Sequence, residues 1–259
     1  METAGGYYVS RKGKLLKNFD NIADLVIESV VSRYGDELAE AIRKEARQEF
    51  EEIIPRIPRV NGAPALNLFL RITAMETAVY KAMKNRGKTP FEAWEICHEA
   101  LVLRTEKTPK ILRFLAKYCM FTNFVKKTAQ KVAQKSQREP FGDFAFNYVE
   151  GDGQKFDWGV DYTGCSNYEF VKQQGVKEFA PYVCLSDIAL SAAMGWGLIR
   201  TETLADGCDR CDFRFKKGGE TRISSTIPEV QATIERIKNK KVKSDNRSLV
   251  EAGRKAIKN

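Results

Sequence analysis

Histidine is nearly absent from this sequence: among 259 residues only His98 is found. A Ser–His–Asp triad or a histidine-rich metal centre is therefore not expected. His98 falls in a helical pattern far from the cysteines, which favours a satisfied structural role. Long apolar runs are missing too, none reaching the roughly 18 residues of a membrane span. The start, Met1-Glu2-Thr3-Ala4-Gly5-Gly6, has no basic and then apolar leader. Cytoplasmic residence without a membrane partner is the expectation. The six cysteines are too sparse for a disulfide framework and should be thiols. Aromatic residues are lacking from Lys217 onward, where eleven Lys/Arg face five Asp/Glu. A nucleic-acid surface interleaves basic and aromatic side chains, so this reads as a solvated basic helix, and nucleic acid is not the expected partner. Of the net charge of +9, the rest of the chain then carries only +3.

What is present is ordinary globular material. A hydrophobic fraction of 43% supports a sizeable core in one large domain or two small ones. Ile22, Val26, Val30 and Tyr34 recur every four positions and predict a helix that Gly35 stops. Leu38, Ile42, Ala46, Phe50 and Ile54 predict a second. Pro55 and Pro58 then interrupt the pattern across Ile54–Gly62. Leu68, Ile72, Met75, Val79 and Met83 form a third stripe, ended by Gly87. Thr89-Pro90-Phe91-Glu92 is a capping box with proline at the first helical position. A further helix is expected from about Pro109 to Gln137. Cys97 and Cys119, embedded in these helices, read as small buried hydrophobes.

The period then changes. Phe144, Phe146 and Tyr148 alternate, Gly151-Asp152-Gly153 is turn chemistry, and Phe156, Trp158, Val160 and Tyr162 alternate on the far side, so an aromatic-faced hairpin is expected. Ser166 with Glu169 reads as a capping box opening a short helix. Pro181 to Met194 reads as one helix. Leu198–Ala205, the turn Asp206-Gly207 and Cys211–Lys216 read as a second hairpin. The expected class is α+β: a helical region 1–138, then 139–216 with a four-stranded antiparallel sheet and helices between its two hairpins, then a basic, partly helical tail 217–259.

Chemistry concentrates between Cys165 and Phe215. Cys165 stands where a strand ends and a helix begins, and a helix N-terminus favours thiolate. Asp161 and Glu169 lie near it in sequence and are candidates to position or accept a proton. Cys184 and Asp187 share a face if the helix is continuous. In the last hairpin Cys211, Phe213 and Phe215 point one way and Asp212, Arg214 and Lys216 the other. Arg200 and Arg214 are candidates to fork toward a substrate carboxylate. Cys208-Asp209-Arg210-Cys211 straddles a turn, unlike a redox motif. Pairing it with Cys165 and Cys184 for zinc requires irregular spacing, so no metal or cofactor is expected.

The run Arg200-Thr201-Glu202-Thr203-Leu204-Ala205-Asp206-Gly207, closing with Cys211-Asp212-Phe213-Arg214-Phe215, resembles the signature of the L-2-amino-thiazoline-4-carboxylic acid hydrolase family. Cys184-Leu185-Ser186-Asp187 resembles its Cys-x-x-Asp segment, and Cys165 with Tyr168 and Glu178 the stretch before it. The likeness implies water-driven ring opening of a small cyclic amidine such as 2-aminothiazoline-4-carboxylate. It implies Cys165 or Cys184 as nucleophile and Asp187 as proton shuttle. Arg200, Arg214, Asp212 and Cys211 would then face the substrate, in a monomer or a homo-oligomer. Gly207 to Phe213 also resembles the ending of vinyl-reductase-type ligand-sensing domains. Some of those hold zinc through a Glu-x-x-Cys pair, and this chain has Arg200 and Thr203 at the matching positions. The alternative expectation is a metal-free, non-catalytic small-molecule-binding domain.

Overall fold

The structure is a computed structural model that describes residues 4–60, 64–138 and 144–238. Helices α1 (Ala4–Val9), α2 (Lys12–Ala23), α3 (Ile27–Tyr34), α4 (Asp36–Ile53), α5 (Pro64–Lys84) and α6 (Pro90–Glu106) make the first half. The stripe through Ile22 and Val30 belongs to two helices, because the chain turns at 24–26. Pro55 and Pro58 end α4 as expected, and the 3-10 turn Ile54–Arg56 that follows buries Ile54 and Ile57. Thr89 caps α6 in a full capping box: its hydroxyl accepts from the Glu92 amide, and the Glu92 carboxylate accepts from the Thr89 amide.

The helix expected over 109–137 is two, α7 (Lys110–Met120) and α8 (Asn123–Arg138). The break at Phe121-Thr122 is held by the Thr122 hydroxyl, which accepts from the Val125 amide. Strand β1 (Ala145–Glu150) pairs antiparallel with β2 (Trp158–Gly164). Their connection is longer than a two-residue turn, because Asp152 Oδ1 accepts from the amides of Gln154, Lys155 and Phe156. Gly151 is required there: a Cβ would lie 2.3 Å from the Asp157 carbonyl carbon.

After α9 (Ser166–Gln173), the helix expected from Pro181 to Met194 is divided at Leu185 into α10 (Ala180–Cys184) and α11 (Ser186–Met194). Strands β3 (Leu198–Arg200), β4 (Cys211–Phe215) and β5 (Arg222–Ile223) complete the sheet in the order β1-β2-β4-β3-β5. The class is α+β, but the sheet has five strands and is mixed, since β5 runs parallel to β3. β5 was missed because it is two residues long, below the length at which alternation can be read. The second hairpin is shorter than expected, since the chain leaves β3 at Arg200 and forms a 3-10 turn over Leu204–Asp206.

Two apolar clusters hold these layers. One gathers Phe19, Phe50, Ile53, Ile54 and Leu70 among the first helices. The other joins Trp94 of α6 to Trp158, Val160, Leu198 and Phe215 of the sheet. Residues 228–238, helical, bury Val230 and Ile234 in that second cluster, so this part of the basic segment is packed rather than solvated. The expected boundary after 138 adjoins residues outside the described ones, and 239–259 of the expected tail also lie outside them.

Candidate active site

Pairing of Tyr162 with Cys211 and of Val160 with Phe213 puts these four side chains on one face of the sheet. Leu198 opposes Phe215, so two residues on, Arg200 shares that face, its guanidinium carbon 5.4 Å from the Phe213 ring centre. Arg200 is only 2% exposed. Its Nη1 donates to the Cys184 carbonyl at 3.1 Å and to the Asp187 carboxylate, while its Nε has no hydrogen-bond partner. Asp187, at the start of α11, keeps 28% of its side-chain surface accessible. The acid therefore keeps contact with solvent while the guanidinium that pairs with it is buried.

Three thiols surround this pair. Cys165, Cys184 and Cys211 are free, and Cys165 and Cys184 are partly accessible. Cys165 disfavours the thiolate of Cys211, and Cys184 and Asp187 disfavour that of Cys165, so the three thiols sit within electrostatic reach of one another. Burial pushes Cys165 and Cys211 up to about 12 and Cys184 well above its ordinary value. Burial thus opposes the thiolate expected at the start of α9. The amides of Asn167 and Tyr168 do draw Cys165 down, but loss of water costs its charged form more. The expected Ser166–Glu169 box is also absent: Ser166 is already the first helical residue, Cys165 occupies the cap position, and Glu169 pairs with Lys172. Burial likewise raises the Asp187 carboxyl, opposed by the Arg200 charge.

The other candidates lie elsewhere. Arg214 is on the opposite face, where it pairs with Asp161 at 2.7 Å. Its stem crosses Gly159, where a Cβ would lie 2.7 Å from its Cδ, so glycine gives it room. Arg200 and Arg214 therefore do not fork toward one group, because adjacent-strand neighbours of opposite pleat cannot converge. Asp161 is occupied with Arg214 and does not serve Cys165. Asp212 also faces away from the thiols and staples the start of the loop after β3. Its carboxylate accepts from the amides of Thr201 and Glu202 at 2.7 and 2.6 Å and from the Thr201 hydroxyl at 2.7 Å. Cys211 Sγ accepts from the Leu204 amide at 3.2 Å. Among the described residues no group of three or more His, Cys, Asp or Glu is arranged to hold a metal ion. Cys97 is buried as expected but Cys119 is exposed, and His98 leans on Trp94 with ring centres 4.7 Å apart.

Three participants were not singled out from the sequence. Tyr162 lies among the thiols, and burial raises its hydroxyl above the usual range. Asp206 acts electrostatically on Arg200 and Cys184. Glu76 of α5 is 6% exposed and accepts from the Ser186 hydroxyl at 2.7 Å, beside Asp187; burial lifts its carboxyl to about 8. An acid in the otherwise apolar run Ala74-Met75-Glu76-Thr77-Ala78 was a readable signal for it. Glu76 and Cys97 also line an apolar cavity of about 110 Å³ among α2–α6, whose lining includes none of Cys165, Cys184 and Cys211.

No curated protein and no solved structure is significantly similar to the chain. Residues 68–215, from α5 through the end of β4, match the family described as L-2-amino-thiazoline-4-carboxylic acid hydrolase. That span holds every member of the thiol, carboxylate and guanidinium cluster, and the chain belongs to the L-2-amino-thiazoline-4-carboxylic acid hydrolase family.

Proposed function

We propose that the protein is a hydrolase that opens a small cyclic amidine of the 2-aminothiazoline-4-carboxylate type. The observation that carries this reading is the gathering of Cys165, Cys184 and Cys211 around the Asp187–Arg200 pair. Cys165 is the nucleophile, because the Asn167 and Tyr168 amides favour its thiolate and Cys184 has no such donors among its influences. Asp187 takes the thiol proton as sulfur adds to the ring C=N carbon, and the ring nitrogen receives that proton. The ring C–N bond to this carbon then breaks, and the protonated nitrogen leaves as the free amine of the opened cysteine. Water adds to the same carbon, the enzyme thiol leaves and recovers its proton, and the net reaction consumes one water to give a carbamoyl-cysteine. Arg200 holds the Asp187 carboxylate in place and counters charge in a site poor in water.

Turnover of 2-aminothiazoline-4-carboxylate by Cys165→Ala and Cys184→Ala proteins, with folding followed by circular dichroism, tests this. Loss of activity in folded Cys165→Ala is the expected result. Full activity in both variants would refute thiol catalysis. A second reading, a non-catalytic small-molecule-binding domain, is favoured by the suppressed ionisation of all three thiols. It predicts that the same compound raises the melting temperature without being consumed.

A further inference from the structure

Helix α7 is amphipathic in the wrong sense for a helix facing water. Its exposed large apolar residues are Ile111 (62%), Phe114, Leu115 and Tyr118, at the i, i+3, i+4, i+7 spacing of one apolar face, with Leu112 beside them. Its half-buried residues, turned toward the body, are Arg113, Ala116, Lys117 and Met120. No residue of α7 is fully buried. Phe124, 79% exposed at the start of α8, extends the patch. Contiguous apolar surface of this kind marks an interaction site.

Charge identifies what covers it. Between positions 110 and 138 there are eight Lys/Arg and no Asp or Glu. This one hairpin therefore carries +8, which an excess of acids over bases elsewhere in 1–216 offsets in the total. Lys110, Arg113, Lys117, Lys126, Lys127 and Lys131 form no salt bridge among the described residues. Lys217 adds a further cation, its Nζ 4.3 Å from the centre of the Tyr118 ring. A second copy meeting this face through a two-fold axis would set like charge on like charge. Residues 239–259 hold seven Lys/Arg and two Asp/Glu, so the chain's own end is repelled in the same way. A nucleic acid would satisfy the lysines and leave Ile111, Leu112 and Leu115 against phosphate and water.

We infer that the α7–α8 hairpin docks on an anionic lipid surface, with the apolar face of α7 and Phe124 in the headgroup–acyl boundary and the lysines of α8 among the headgroups. Such a helix lies in the interface and needs no membrane crossing, in keeping with the lack of a long apolar helix among the described residues. The surface potential attracts the basic residues and apolar burial holds the helix.

Sedimentation of the full chain with vesicles of phosphatidylcholine, with and without a third of phosphatidylserine, tests this. Binding is expected only to the anionic vesicles, weakened about 10-fold or more by molar salt. The double variant Leu112→Asp with Leu115→Asp changes two exposed side chains, so folding is retained. It is expected to lower partitioning about 100-fold, and Lys127→Glu with Lys131→Glu to lower it about 10-fold or more. Failure to bind anionic vesicles overturns the inference. So does undiminished binding by the aspartate variant, which would locate the attraction in the basic end of the chain. A solution dimer that the aspartate variant dissociates, or tighter binding to a single-stranded RNA than to the vesicles, overturns it as well.

Discussion

Replacing Glu76 with glutamine should change how stability depends on pH, because the carboxyl is buried in neutral form. Its oxygen Oε1 accepts from Ser186, and Oε2 has no hydrogen-bond partner. Folding lifts the group from 4.5 to about 8. The neutral acid's contribution is then whole below pH 4.5, where the unfolded chain is also protonated, and is lost as pH rises through about 8. Each tenfold in that proton equilibrium is about 1.4 kcal/mol, so the full loss is about 5 kcal/mol, most of it between about pH 5 and pH 7.5. Glutamine keeps the acceptor for Ser186 and does not titrate. Urea unfolding at several pH values across this window, for both proteins, yields a difference curve from which the other groups cancel. Glu76→Gln should be the more stable by several kcal/mol at about pH 8, with the gap shrinking to near zero at about pH 4.5. A flat difference curve would show that the acid is buried as an ion, and the argument from desolvation would fail.

Asp187→Asn should destabilise the fold by about 3–5 kcal/mol, since it strands the Arg200 guanidinium without its counter-charge. Removing both charges with Asp187→Leu and Arg200→Met should recover much of that loss in a double-mutant cycle followed by denaturant unfolding. Asp212→Ala, which deletes acceptors for two amides and a hydroxyl, should cost about 1–3 kcal/mol while leaving kcat unchanged. A lost kcat in a stable Asp212→Ala protein would instead place that carboxylate on the substrate. Limited alkylation with iodoacetamide near neutral pH, read by peptide mass spectrometry, should label exposed Cys119 before Cys165, Cys184 and Cys211. Labelling of Cys165 first would mean that its thiolate is already formed.

Local signals sufficed where the physics is local. The capping box at Thr89, the proline break after Ile53 and the aromatic alternation through Trp158 and Tyr162 each act over a few residues, so the α+β class and most elements could be read from the chain. The alternation Cys211-Asp212-Phe213-Arg214-Phe215 likewise assigned side chains to faces correctly within β4. Which face Arg200 shares was a matter of register between β3 and β4, and a pleat of period two makes that decisive. Register separated Arg200 from Arg214 and joined it to Asp187, thirteen positions away on a helix. The burial that opposes ionisation of Cys165 was not legible for a related reason. A helix start is visible in sequence, but desolvation depends on packing against distant segments, here the apolar cluster that includes Leu70, Phe144 and Phe170. Glu76 meets Ser186 across 110 positions, and no pattern of neighbours encodes that encounter. The sequence by itself determined most of the elements, the stock of thiols and acids and the family. Only tertiary packing decided which of them meet, because burial and strand register are properties of distant segments brought together.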